Sequence, residues 1–230
     1  MNTLDGSMVA ITGGFGNLGV ATARVLAARG ARVALIGHGV AAKDLALPDA
    51  YDIVNDIDLS NARAASDAIA SIVSHFGGLN ALVNVAGAFS WESIADGSVD
   101  TWQAMFDINV KTALNASKAA MTHFGEGGRI VNIGALAALK ADVGMGAYAA
   151  SKAALMRLTE ALAGELKDKG VTVNAMLPSI IDTPANRADM PDADSSRWVK
   201  PEEIGAVIAF LLSRDAQCIT GASIPVAGRV

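Results

Sequence analysis

Seven short apolar runs rich in β-branched residues recur along the chain, and helix-forming stretches lie between most of them. They read MVAIT from Met8, RVALI from Arg32, YDIVN from Tyr51, ALVNV from Ala81, RIVNI from Arg129, VTVNAML from Val171 and SIPVA from Ser223. Helices are expected at about 17–28, 61–76, 99–122, 147–167 and 202–212. Strands that are apolar at nearly every position must be covered on both faces, which a parallel sheet flanked by helices achieves. The expected fold class is therefore α/β: a doubly wound parallel sheet of about seven strands with helices on both faces. Right-handed crossovers place its ligand crevice at the carboxyl ends of the strands. At 230 residues, with no repeat or linker, the chain suits one domain spanning 1–230.

Composition narrows the function classes. Net charge is −5 and no basic stripe is present, which argues against a nucleic-acid partner. One cysteine, Cys218, excludes an internal disulfide and a multi-cysteine metal site, and His38, His75 and His123 are too scattered to form one. No metal is expected. No apolar run is long enough to span a membrane, and the first residues lack a signal-peptide pattern, so the expected location is the cytoplasm.

The first strand runs directly into TGGFGNLG, residues 12–19, and a helix follows at once. Read from Gly14 this is G-x-G-x-x-G between a strand and a helix, the setting in which that motif binds a dinucleotide (Rossmann type). Glycines let the backbone approach a pyrophosphate, and the helix N-terminus offers free N–H groups. Gly13, Phe15, Gly16, Asn17, Leu18 and Gly19 are the candidate cofactor contacts here. The second strand ends at Gly37-His38 with no carboxylate to repel a 2′-phosphate. That leans towards NADP over NAD, with His38 as a contact or simply a solvent-exposed residue. Asp58, with Leu59, follows the third strand and is read either as an adenine contact or as a helix cap.

Tyr148 and Lys152 stand four residues apart in an Ala-rich helix, so their side chains share a face. A phenol is a weak acid, and an ammonium beside it favours the phenolate and makes a tuned proton donor. Taken alone, the pair also reads as a half-buried Tyr and a surface Lys. The segment 179–200 is rich in Pro, Asp and Asn and leaves a strand's carboxyl end, which suggests a mobile lid or a solvated loop.

Together these motifs resemble the short-chain dehydrogenase/reductase family over essentially the whole chain. The glycine turn, Asn84-Val85-Ala86-Gly87, Asn109 in FDINV, the Tyr148–Lys152 pair, and Pro178 with Thr183 match its elements in order. The resemblance implies an NAD(P)-dependent oxidoreductase. Tyr148 would be its proton donor, Lys152 the holder of the ribose and tuner of Tyr148, and Asn109 a prop for Lys152 through water. Asn84, Ala86, Gly87, Pro178 and Thr183 would join the cofactor site. It also implies a homo-oligomer, tetramer or dimer, built on the helices at 99–122 and 147–167. One position departs from the family: Ala135 stands where the family has a catalytic Ser, thirteen residues before the Tyr.

The dihydropteridine reductase subfamily resembles this chain at that Ala, and also at LPSIIDTPANRADMPDAD with Ser196 and Trp198. The reading is a reductase passing hydride to an electron-poor C=N or C=O group of a small molecule. Phe89, Trp91, Met145 and Trp198 are its candidate substrate wall, and Trp102 is read as structural. The alternatives are a reductase or dehydrogenase of another small alcohol or carbonyl, and a dinucleotide-binding sensor without catalysis.

Overall fold

The computed structural model describes residues 4–39 and 51–230. Its strands are β1 (Met8–Thr12), β2 (Arg32–Ile36), β3 (Tyr51–Val54), β4 (Leu79–Asn84), β5 (Phe124–Ile133), β6 (Thr172–Pro178) and β7 (Ser223–Val226). All pair in parallel, in the order β3-β2-β1-β4-β5-β6-β7. The helices are α1 (Asn17–Ala28), α2 (Ala62–Phe76), α3 (Val99–Phe106), α4 (Thr112–Ala120), α5 (Gly146–Leu166), α6 (Pro184–Asp189) and α7 (Pro201–Leu212).

Strand residues alternate between two cores, as the period of two requires. Val9, Ile11, Val33, Leu35, Val83 and Val131 meet Leu26 of α1 and Ile204 and Ile208 of α7. Their neighbours Ala10, Ala34, Ile36, Leu82 and Ile130 face Ile69 and Ile72 of α2 and Leu162 and Leu166 of α5. Burying such aliphatic side chains contributes roughly 1.5–3 kcal/mol each, which is why both faces need helical cover. The chain leaves β1 for β2 on one side and reaches β4 on the other, so strand order reverses between β1 and β4. That reversal opens a cleft at their carboxyl ends.

A chain of buried amides ties the central strands together below the cleft. Asn84 and Asn132 are in register on β4 and β5, and Asn84 Nδ2 donates to Asn132 Oδ1 at 2.8 Å. Asn132 Nδ2 donates to Thr159 Oγ1 of α5 at 2.9 Å, and Asn84 Nδ2 also reaches Ser117 Oγ of α4 at 3.1 Å. All four side chains are buried, so each unpartnered group would carry its full desolvation cost. Asn132→Ala is expected to destabilise the protein by about 2–4 kcal/mol, read as a lower urea midpoint with unchanged slope.

One expectation needs correction. The helix expected over 99–122 is interrupted: α3 passes into a π-helical turn, Asp107–Lys111, before α4 begins. Such widened turns often sit at functional sites, and this one holds Asn109. The segment 179–200, read as a mobile lid or a solvated loop, carries α6 and is tied at both ends. Ile181 bridges Val199, and Arg187 grips Asp182 through two hydrogen bonds at 2.6 and 2.9 Å. No helix among the described residues is long and apolar enough to cross a membrane.

Candidate active site

A cleft of about 480 Å³ opens over the carboxyl ends of β1, β4, β5 and β6. Its walls bring together Gly13, Phe15, Gly16, Asn17, Leu18, Gly19, Gly37, His38, Ala86, Gly87, Phe89, Tyr148, Lys152, Pro178 and Thr183 from the sequence-derived set. Ala135 lines it as well.

The glycine turn is shaped by close backbone approach. Gly13 has φ +63°, and a Cβ there would lie 2.7 Å from the Ala86 nitrogen. A Cβ on Gly19 would collide with the Gly13 carbonyl oxygen. Gly16 caps α1 without a side-chain bond, and the first turn of α1 carries no acidic residue. These N–H groups therefore face the cleft as an anion cradle, and the residues fit the pyrophosphate of a dinucleotide. Thr12 Oγ1 accepts from Ala86 N–H at 3.2 Å and so fixes the β4 end against this turn.

At the far end of the cleft the Phe15 ring lies against Gly37, where any Cβ would overlap it. A side chain at position 37 would require the Phe15 ring to move, and the exposed His38 is the next side chain available. Asp58 is exposed and accepts from Ser60 N–H at 2.9 Å. Hydrogen bonds from Ser60 hold its carboxyl below the ordinary value, helped by nearby His38 and Lys111. Its reading as the helix cap is corrected: Asn61 caps α2, accepting from Arg63 and Ala64 N–H groups. Leu59 is a core residue, 5% exposed, whose side chain packs away from the cleft. Asn84 likewise lies beneath the cleft in the amide chain rather than on its wall.

Tyr148 and Lys152 project from the first turns of α5. Lys152 is 4% exposed and its Nζ donates to the Ile133 carbonyl at 2.8 Å, at the end of β5. Burial pulls its pKa from 10.5 to about 8. Burial also pushes Tyr148 from 10.0 up to about 12. The expectation that Lys152 holds the phenol low is therefore corrected. In the free protein, exclusion of water outweighs an ammonium that sits 5.9 Å from the ring centre and is engaged by a carbonyl. Tyr148 stays protonated at neutral pH, which suits a group that gives its proton only to a strongly basic developing anion.

Asn109 is fully buried and makes direct hydrogen bonds to the loop after β4 and to α5. It accepts from Ala88 N–H and donates to Ala88 O, both at 3.0 Å, and also donates to Ser151 Oγ at 3.0 Å. Ser151 in turn donates to the Tyr148 carbonyl at 2.7 Å. Asn109 thus fixes the loop after β4 and the first turn of α5 directly, with no direct bond to Lys152. Gly87 makes this possible: a Cβ there would come within 2.7 Å of Asn109 Oδ1 and 3.1 Å of Lys152 Nζ. Ser151 was not legible as a site residue, although its position beside Lys152 on the same helix was a signal.

The substrate-wall candidates divide. Phe89 packs edge-on against Tyr148, ring centres 5.0 Å apart, and is 54% exposed. Trp91 covers Gly144, whose φ of +74° and lack of room exclude any side chain. Met145 is half-buried just before α5 and does not line the cleft. Trp198 is 6% exposed and does not line it either. Trp102 lies against Gly146, in keeping with a packing role. Thr183 Oγ1 lines the cleft while capping α6 through Asn186 N–H at 3.2 Å.

A parallel sheet with a glycine-cradled cleft and a Tyr–Lys pair at its mouth is the arrangement of a nucleotide-dependent oxidoreductase, and comparison with known proteins agrees. A family model described as enoyl-(acyl carrier protein) reductase matches residues 15–228. The chain is 33% identical to 2-(S)-hydroxypropyl-CoM dehydrogenase 3 of Xanthobacter autotrophicus, covering 99% of this chain and 97% of that one. It is 32% identical to meso-2,3-butanediol dehydrogenase of Serratia marcescens, covering 97% and 94%. A short-chain dehydrogenase from Burkholderia cenocepacia in complex with NADP superposes with a TM-score of 0.90 at 36% identity, over 99% and 98%. The chain belongs to the short-chain dehydrogenase/reductase family and is an NAD(P)-dependent oxidoreductase.

Proposed function

We propose that this enzyme reduces an electron-poor, planar C=O or C=N compound, a quinone or a quinonoid dihydropterin being the model substrates. The observation that carries the reading is Ala135. It lines the cleft beside Tyr148 and is 7% exposed, so the reacting oxygen or nitrogen meets a methyl group where a hydroxyl donor would stand in the family pattern. A missing preorganised donor raises the barrier by about 3 kcal/mol for an ordinary ketone. A conjugated acceptor whose negative charge is delocalised needs that donor far less. Phe89, exposed and edge-on to Tyr148, supports a flat aromatic partner.

A bound reduced nicotinamide supplies the hydride. Gly13, Gly16 and Gly19 would seat its pyrophosphate, and Lys152 its ribose hydroxyls. Tyr148 delivers the proton to the atom that becomes negative as hydride arrives. Asn109 and Ser151 hold the first turn of α5, and so the phenol, in place. His38 just after β2, with no carboxylate at position 37, supports NADPH as the preferred reductant. We further propose a cytoplasmic homo-oligomer, tetramer or dimer, built on α3–α4 and α5. Val99 at 83% and Phe106 at 46% exposure are the apolar contacts it would bury.

The test is steady-state reduction of quinonoid dihydropterin, a benzoquinone and a simple ketone, each with NADH and NADPH. Activity on the first two, with the ketone about 10²-fold poorer, is the expected pattern. Ala135→Ser should raise ketone turnover by up to about 10²-fold and leave the quinonoid rates nearly unchanged. Efficient wild-type ketone reduction would sink the reading. It would favour the second one, a dehydrogenase of small alcohols, which the names of the Xanthobacter and Serratia relatives support.

A further inference from the structure

At the amino ends of the strands, remote from the active-site cleft, lies a second cavity of about 430 Å³. Ser7, Asn80, Ala81, Arg129, Arg214 and Gln217 are among its walls, and among the described residues no Asp or Glu lines it. Arg129 is in register with Ala81 on β4, and the small Ala81 side chain leaves room beside it. The side chain is 8% exposed, on the same sheet face as Val131. Its Nη1 is held by the carbonyl oxygens of Gly127, Gly128 and Gly170, while its Nε is buried with no partner. Among the described residues no carboxylate pairs with it, and burial alone pulls its pKa down. A buried guanidinium without a counter-charge is costly, and breaking or omitting its partner typically destabilises a protein by several kcal/mol. Arg214, at the end of α7, adds a second cation to the same wall. Asn80 Oδ1 accepts from Met8 N–H at 2.7 Å, so its amide NH₂ remains available to donate.

We propose that this cavity is a binding site for a small oxyanion, a phosphate or carboxylate group, held between Arg129 and Arg214 with Asn80 as a further donor. A guanidinium forms strong charge-assisted hydrogen bonds with such groups, and Arg129 is already immobilised by its three carbonyls. The site is independent of catalysis. Arg129 precedes Ile133, where the Lys152 contact lies, by four residues, about 13 Å along β5. The ligand neutralises a charge that no carboxylate of the described residues pairs with, so its binding should stabilise the native state.

The experiment saturates the active-site cleft with NADPH and titrates inorganic phosphate or acetate at constant ionic strength, following heat of binding and thermal unfolding. A saturable rise in Tm with phosphate alone assigns a phosphate group, and with acetate as well a carboxylate. Arg214→Ala should weaken binding tenfold or more without altering turnover. Asn80→Asp keeps the acceptor for Met8 N–H and supplies the missing carboxylate. It is expected to raise Tm without added anion and to abolish the anion response. No saturable effect from either anion overturns the proposal, as does an identical response in wild type and both variants.

Discussion

Tyr148→Phe is expected to lower turnover by about 10²- to 10⁴-fold while cofactor affinity stays within a few-fold of wild type. The substitution removes one oxygen, so the edge-on packing of the ring against Phe89 is kept. The backbone carbonyl that accepts from Ser151 is kept too, and α5 should start as before. What disappears is the hydroxyl assigned here to proton delivery, and Ala135 provides none to replace it. In a family member with both hydroxyls the remaining donor would retain part of the stabilisation, so the loss should be larger here. The measurement is single-turnover reduction of a quinonoid substrate alongside a fluorescence titration of NADPH. Unchanged turnover with normal cofactor binding would remove Tyr148 from the mechanism.

Lys152→Met should uncouple stability from activity. The drop of the Lys152 pKa from 10.5 to about 8 means that the folded state disfavours the ammonium by roughly 3 kcal/mol. The sign follows from linkage. A group whose folded pKa is depressed contributes fully above its unfolded value, about 10.5, and loses that contribution as pH falls through about 8. At pH 7 the native state therefore carries the whole penalty. Methionine fills a similar volume without charge but leaves the Ile133 carbonyl unpaired, which costs about 1 kcal/mol. The variant should be more stable at pH 7 by about 2 kcal/mol, raising Tm by roughly 4–8 °C, with the gap closing towards pH 10. Reduction should nonetheless fall by about 10²-fold or more, because no cation remains to hold the ribose or to stabilise the phenolate left after proton transfer. Wild-type turnover should likewise decline as pH rises above about 8, where Lys152 loses its proton. A variant less stable than wild type at pH 7 would contradict the burial argument.

The sheet was legible because its evidence is local. Seven apolar runs matched seven strands, four of them starting at the expected residue: Met8, Arg32, Tyr51 and Ser223. β5 begins at Phe124 rather than Arg129, since FGEGG is too glycine-rich to announce a strand and is held there by its neighbours. Asn109 and Tyr148 could be named, yet not their connection, which runs through Ser151 and needs α5 and the π-helical turn side by side. Trp198 looked like a substrate contact because aromatic residues near a lid invite that reading. Only the packing of the folded chain shows that it is buried.

The sequence by itself determined the strand–helix alternation, the glycine turn, the spacing of Tyr148 and Lys152, and the absence of a hydroxyl at position 135. Each is written in neighbouring residues, within reach of periodicity, backbone sterics and side-chain chemistry. The tertiary structure alone decided the charge state of the site and the partners within it. Burial depends on every element packed around a group. It raises Tyr148 and lowers Lys152 against the simple expectation for a paired cation and phenol, and towards the other end of β5 it lowers Arg129, which pairs with no carboxylate among the described residues.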